Sequence, residues 1–361
     1  CPRCRATITV QRGDPKVYKH GSGIRLRPVS PSLGTVSDRG LLIGHDPHKR
    51  PVILPADRLA WHVAITGGTG RGKSTLLLNV VRQLLDNGTG VTVLDPGGDL
   101  AQAVLHHIPP DRIDRAQYLN VGDRRQPFPL NILSAHDAAE GAMLTEELIG
   151  VFHDLHGSSW GPLLAHQLRM ALRTIMAVGG TLRDVYDLFT DDALRARLLR
   201  RLTDRDLQAF WTREFPSIPA MRRSAVTNKL APIVFHPLLG PILCSPTCAI
   251  DADALIERRG ILCVNLASGS PGDDVTTLLG TFLVQKVLAA AFRQAAVSPD
   301  ARVPHVLVVD EFQRFMHRAA GFDQVLAETR KYRLSLIVAN QYVEQLAAPV
   351  RAALFGNVGA L

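Results

Sequence analysis

Five short runs of almost unbroken aliphatic residues recur along the chain: Val63-Ala64-Ile65-Thr66, Val91-Thr92-Val93-Leu94, Ile261-Leu262-Cys263-Val264-Asn265-Leu266, His305-Val306-Leu307-Val308-Val309 and Leu334-Ser335-Leu336-Ile337-Val338. Runs of this length without polar alternation suit strands covered on both faces, as in a parallel sheet flanked by helices. A helical pattern from Lys73 to about Asp86, closed by the turn Asp86-Asn87-Gly88, separates the first two runs, and a long helix from about Asp274 to Ala296 separates the third from the fourth. Between about Ala135 and Arg259 the strand signal gives way to helical periodicity, with helices near 138–154, 160–178, 191–201, 203–214 and 221–233. Residues 1–60 are rich in Pro, Gly and charge, with strand-like pieces at Ile24-Arg25-Leu26-Arg27 and Pro51-Val52-Ile53-Leu54. The pattern predicts an α/β protein with a mainly parallel sheet and an all-helical domain inserted after the second core strand. Its parts are a small β-rich leader (1–60), a first part of the core (61–134), the helical insertion (135–259) and a second part of the core (260–361). No internal repeat or low-complexity tract interrupts them.

Composition narrows the class. At 361 residues and 46% hydrophobic, the chain can bury a large core. No apolar run reaches bilayer length, since the best stretch, Leu278 to Phe292, carries Gln285 and Lys286 in its middle. There is no signal-peptide pattern. Five cysteines without a dense framework point to a reducing compartment, and a cytoplasmic location is expected. Because the chain starts at Cys1 and stops at Leu361, it reads as a fragment whose further ends leave membrane association open, although no membrane contact is evident in it. Cys1 and Cys4, about 240 residues from Cys244 and Cys248, read as unpaired thiols or the remnant of a zinc knuckle more readily than as one four-thiol zinc site. A net charge of +8 suits a polyanionic partner.

The chemistry begins at the end of the first strand. Gly67-Gly68-Thr69-Gly70-Arg71-Gly72-Lys73-Ser74 has the G-x-x-x-x-G-K-[ST] spacing of a phosphate-binding loop, and Thr75 continues into the following helix. Glycines let the backbone close around a polyphosphate and aim N–H groups at its oxygens. Lys73 is expected on the β- and γ-phosphates of ATP and Ser74 on Mg²⁺. Hydrolysis also needs an apolar strand that ends in acids, and Val306-Leu307-Val308-Val309-Asp310-Glu311 supplies one: Asp310 to hold the metal, Glu311 to polarise the attacking water. Gln341, after the next strand, is placed to report the γ-phosphate to the rest of the domain, with a helix-capping amide as the plainer alternative. Arg330 and Lys331 sit at a helix C-terminus, where the macrodipole favours cations, so Arg330 reads either as an arginine finger for a neighbour's ATP or as surface charge. For Asp95-Pro96-Gly97-Gly98-Asp99-Leu100 a plain turn is an adequate account.

These segments resemble the HerA-FtsK superfamily of DNA-pumping ATPases, and within it the conjugative coupling proteins of type IV secretion, the TraG/TraD-like group. The resemblance rests on His62 through Thr75, the Asp95–Leu100 turn, Pro129-Leu130-Asn131-Ile132-Leu133, Asn265-Leu266, Val309-Asp310-Glu311-Phe312, Glu328-Thr329-Arg330-Lys331-Tyr332 and Ala339-Asn340-Gln341. It spans roughly residues 40–361. It implies a RecA-like core, a ring of six subunits around DNA, and secretion-channel or relaxosome proteins as partners. The turn departs from the family's Asp-Pro-His-Gly-Asp, since Gly97 stands where the histidine does.

The resulting expectation is an ATP-hydrolysing DNA translocase, with Arg222, Arg223 and Lys229 of the helical insertion as candidate phosphate contacts. Three alternatives compete with it: a protein-secretion motor of the same superfamily, a nucleotide-gated assembly factor without turnover, and a small-metabolite kinase. The adjacent acids Asp310 and Glu311 suit attack by water and disfavour the kinase; an intact Glu311 disfavours the silent binder.

Overall fold

Parallel strands cannot be joined by hairpins, so each needs a crossover, usually a helix, and that requirement organises the sheet region of this protein. The structure is a computed structural model that describes residues 9–10, 18–19, 40–55, 62–268, 273–315 and 322–358. Cys1, Cys4 and the strand expected at 24–27 lie outside the described residues. The chain forms two compact units, residues 1–122 with 251–361, and residues 123–250.

In the first unit an antiparallel hairpin, β1 (Leu41–His45) and β2 (Pro51–Leu54), precedes the main sheet. A two-residue antiparallel ladder joins Thr9–Val10 to Tyr18–Lys19. The main sheet contains β3 (Val63–Thr66), β4 (Gly90–Asp95), β5 (Ala116–Asn120), β6 (Ile261–Asn265), β7 (His305–Val309) and β8 (Leu334–Asn340). Their order is β3-β8-β7-β4-β6-β5, and every pairing is parallel. The crossover helices are α1 (Lys73–Asp86) and α2 (Asp99–Leu105) early in the chain.

β4 and β7 are buried along their whole length, as the aliphatic runs require. β5 was not among the expected strands. Its sequence, Ala-Gln-Tyr-Leu-Asn, is half-buried at the sheet edge, where water replaces a second layer and polar residues are tolerated. The helical residues therefore leave the sheet after β5, the third main-sheet strand in chain order, and not directly after β4.

Side chains also make backbone-like ties in this unit. The Gln83 amide of α1 accepts from Leu42 N at 2.8 Å and donates to Leu42 O at 2.9 Å, pinning the hairpin to the helix. Buried Arg112 donates to the carbonyls of Leu85 near the end of α1, Thr89 before β4 and Arg259 before β6, tying the three segments together.

The second unit holds α3 (Ala138–His156), α4 (Pro162–Val178), α5 (Leu182–Thr190), α6 (Asp192–Leu199), α7 (Arg205–Ala209), α8 (Ala220–Val234) and α9 (Leu239–Leu243). A π-turn at Phe210–Glu214 extends α7. Asp137, Asp191 and Asp204 cap their helices, and Thr181 with Asp184 forms a capping box. Its core centres on Phe189, Phe210, Trp211 and Phe215, with ring centroids as close as 4.8 Å between Trp211 and Phe215. The indole N–H donates to Thr174 Oγ1 at 2.8 Å. The Pro129–Leu133 segment is fixed here as well: Leu130 N donates to Ile242 O, and Asn131 Nδ2 to Gly180 O.

The first unit resumes with α10 (Ala252–Glu257) before β6, then α11 (Asp273–Arg293), α12 (Phe322–Lys331) and α13 (Ala348–Asn357). Contrary to the sequence expectation, the stretch Val275–Ala296 is long and apolar enough by composition to cross a membrane. About two thirds of its apolar window is buried inside the protein, as in a core helix.

Candidate active site at the carboxyl edge of the sheet

β3 ends at Thr66, and Gly67 N donates to Asn340 O at the end of neighbouring β8, at 3.3 Å, so the loop starts from a fixed point. Gly70 and Gly72 take φ of 73° and 85°, left-handed values that side chains with a Cβ rarely adopt. Arg71 N closes a turn on Gly68 O at 3.3 Å. α1 then opens at Lys73 with no acidic residue in its first turn and no side-chain cap, so its dipole and first N–H groups face the loop without neutralisation. Lys73 Nζ lies over the loop, donating to Gly67 O at 2.6 Å and Gly68 O at 3.2 Å. Gly68, Thr69, Gly70, Arg71, Gly72, Ser74 and Thr75 are solvent-exposed.

The acidic half is set by sheet register. Leu94 of β4 pairs with Val309 of β7, so Asp95 and Asp310 end adjacent strands side by side, and Asp310 N donates to Leu94 O at 3.1 Å. Asp310 is 8% exposed. Its Oδ1 accepts from Glu311 N at 2.9 Å, and its Oδ2 receives Ser74 Oγ at 3.4 Å. Burial raises the Asp310 pKa above the usual carboxylate value, and the charges of Asp95 and Glu311 add to this while Lys73 opposes it. Asp95 is also raised, by burial, even though Gly97 N and Ala101 N each donate to it at 2.9 Å. Those two bonds make Asp95 the structural anchor of the turn into α2. Within that turn, Gly98 has φ 87° and a Cβ there would sit 2.5 Å from Asn265 Oδ1, whereas Gly97 has ordinary φ and room for a side chain.

Glu311 adopts φ 46° and ψ 49°, a left-handed conformation costing roughly 1–3 kcal/mol for a residue with a Cβ. Its Oε2 lies 2.6 Å from Arg314 Nε. The structure thus brings the loop, Ser74, Asp310 and Glu311 to one edge. Gln341, half-exposed, follows β8 at the same edge, and its N–H donates to Gln345 Oε1.

Arg330 is elsewhere. It ends α12, ahead of the N-terminal end of β8, whereas Gln341 follows the strand's C-terminal end, about 20 Å away for seven residues of strand. Arg330 cannot serve the loop of its own chain. One residue it influences is His62, whose pKa is lowered by burial and further by the Arg330 charge. His62 has φ 68°; its Nδ1 accepts Leu336 N at 3.0 Å, which places the proton on Nε2, donated to Leu326 O at 2.9 Å. This neutral ring ties the start of β3 to β8 and α12. Nothing in its spacing announced that role, because one histidine before a strand has no pattern to read.

Two of the expected DNA contacts are occupied within the helical unit: Arg223 donates to Ile218 O and stacks over Phe215 at 4.8 Å, and Lys229 bonds Ser159 Oγ. Arg222 is exposed. Cys244 and Cys248 are free thiols, and among the described residues no group of three or more His, Cys, Asp or Glu is arranged to hold a metal.

Residues 40–140 match the family model described as helicase HerA, central domain. Solved structures share the fold over most of the chain. The bacterial conjugative coupling protein TrwBdeltaN70, in its unbound monoclinic form, aligns with a TM-score of 0.62 at 16% identity over 89% of this chain and 72% of its own. The plasmid coupling protein TrwB in complex with ADP and Mg²⁺ aligns at 0.63 and 17% identity over 88% and 74%. VirB4 of Thermoanaerobacter pseudethanolicus aligns at 0.62 and 16% identity over 90% and 83%. No curated protein matches in sequence. Residues 40–140 thus resemble the HerA central domain, and the chain shares a RecA-like fold with TrwB and VirB4.

Proposed function

We propose that this chain is the ATP-hydrolysing core of a type IV secretion or conjugation motor, and that its cargo is DNA. The observation that carries the reading is the 3.4 Å approach of Ser74 Oγ to Asp310 Oδ2, which joins the glycine loop to the acidic strand end. A hydroxyl and a carboxylate are hard oxygen donors of the kind Mg²⁺ selects. TrwB has been solved with ADP and Mg²⁺ and with a non-hydrolysable ATP analogue, which supports the same pair of ligands here.

In this reading the loop amides and Lys73 bind and neutralise the phosphates, while Ser74 and Asp310 would hold Mg²⁺. Mg²⁺, when bound, offsets charge that gathers on the phosphate oxygens. Glu311 accepts a proton from water as its oxygen bonds to the γ-phosphorus and the bond to the β-phosphate oxygen breaks. Gln341, bonded into the turn after β8, passes the loop's state onward. Arg330, out of reach in cis, acts only across a subunit boundary, which fits a hexameric ring.

Charge distribution supports DNA as partner and relocates the contact. Residues 1–39 hold eight Lys or Arg against two Asp or Glu, six of the eight net charges, whereas residues 123–250 hold fourteen against thirteen. Sequence-insensitive phosphate contact is therefore assigned chiefly to the leader. The test is ATPase activity with and without DNA at about 50 and 200 mM salt. Stimulation at low salt that fades at high salt supports the reading; no stimulation at either shifts it to a protein cargo.

A further inference from the structure

We infer that Arg314 is a positioning residue for Glu311, holding one oxygen of its carboxylate so that the other is left to take the proton from water. The inference rests on the hydrolytic role proposed for Glu311. Asp310-Glu311-Phe312-Gln313-Arg314-Phe315 forms a tight turn at the end of β7, in which Phe312–Arg314 is a 3₁₀ segment. Residues three apart share a face in such a turn. Phe312 and Phe315 are both fully buried, at 0% and 1% exposure, and they anchor one face.

Gly280 of α11 makes the room: a Cβ there would lie 2.1 Å from Phe315 Cε1. The other i,i+3 pair, Glu311 and Arg314, is correspondingly held together. Three contacts then fix the acid. Asp310 Oδ1 accepts Glu311 N at 2.9 Å, Glu311 O accepts Arg314 N at 2.9 Å, and Arg314 Nε meets Glu311 Oε2 at 2.6 Å.

A surface ion pair between flexible side chains is worth little. This one differs because the turn is anchored by two buried rings and the acid's backbone is locked in a left-handed conformation. A glutamate without the guanidinium would sample several rotamers, and an orienting base displaced by about 1 Å loses on the order of 10²-fold in rate.

The test uses the full chain and four variants, Arg314→Ala, Arg314→Lys, Glu311→Gln and the double Arg314→Ala/Glu311→Gln. For each, kcat and KM for ATP are measured alongside affinity for a fluorescent ATP analogue. Arg314→Ala is expected to lower kcat by roughly 10–100-fold with analogue affinity within about threefold of wild type. Arg314→Lys recovers part of the loss, since it keeps the charge without the planar fork. The double variant is no slower than Glu311→Gln alone, because both changes act through one carboxylate.

Wild-type kcat in Arg314→Ala overturns the inference. So does a further loss in the double variant, or a fall in analogue affinity that matches the fall in kcat. If Arg314→Ala does not fold, Arg314→Lys decides: wild-type affinity with a partial loss of kcat supports the inference, and wild-type kcat refutes it. Should Glu311→Gln itself hydrolyse ATP normally, the hydrolytic reading fails first; a dead Glu311→Gln beside a fully active Arg314→Ala sinks only the role of Arg314.

Discussion

The sheet unit and the helical unit differ in where they carry strained backbone, while each leaves a few buried polar atoms unpaired. All five described non-glycine residues with positive φ, Lys49, His62, Arg259, Glu311 and Arg333, belong to the sheet unit. The helical unit has none and begins most of its helices with a side-chain cap or a proline. In the sheet unit, buried polar groups such as Asp95, His62 and Arg112 each meet two or more backbone partners. Among the described residues, both units nonetheless keep buried side-chain atoms without a hydrogen-bond partner: Glu147 Oε2, His156 Nε2 and Gln167 Oε1 in the helical unit, and His305 Nδ1, Gln313 Oε1 and Asn340 Oδ1 in the sheet unit. Of the five, only Glu311 lies at the carboxyl edge; Lys49 sits in the hairpin turn, and His62, Arg259 and Arg333 stand just before β3, β6 and β8, where the chain turns into a strand.

This contrast can be broken most strongly in the helical core. Phe210→Ala removes a ring that is 0% exposed and should cost about 3–5 kcal/mol in urea unfolding of the helical unit, while leaving affinity for an ATP analogue within about twofold. A parallel loss of nucleotide affinity would show that the two units do not divide stability and chemistry as described.

Glu147→Gln tests the unpaired carboxylate. Burial raises its pKa to about 7 from 4.5, so above pH 7 the folded protein carries a costly buried charge; between 7 and 4.5 it takes up the proton before the unfolded chain does, and below 4.5 the cost is gone. The substitution should therefore stabilise by roughly 3 kcal/mol at pH 8 and by nothing at pH 4. A gain that does not depend on pH would contradict the assignment.

His305 in the sheet unit should show the opposite sign. Fully buried, its pKa is pushed down to about 3 from 6.5. Above pH 6.5 it is neutral in both states; as pH falls below 6.5 the unfolded chain protonates first, and folding loses up to about 1.4 kcal/mol per pH unit until the folded value is reached. Urea midpoints at pH 7, 6 and 5 for the wild type and His305→Asn should differ by a slope that the variant lacks.

What could be read in advance follows the same division. The fold class was accessible because strands buried on both faces leave aliphatic runs, and the strand–loop–helix order at Gly67–Ser74 because glycines are spaced where the backbone turns left-handed. β5 was not, since Gln117 and Asn120 at a half-wet edge look like loop. Nor was α5, whose nine residues are too short to establish a period. The ties made by Gln83, Arg112 and His62 depend on which strands become neighbours, and the order β3-β8-β7-β4 appears nowhere in local sequence. The Glu311–Arg314 pair was present as an i,i+3 spacing, but an acid and a base three apart are too common to single out.

The account stands on one carboxylate acting on water beside a bound triphosphate. Nucleotide binding and hydrolysis measured together on Glu311→Gln test it most directly: binding should stay within about threefold of wild type while turnover falls by roughly 10²–10⁴-fold. A variant that hydrolyses ATP at the wild-type rate, or one that loses binding and turnover in equal measure, would contradict it.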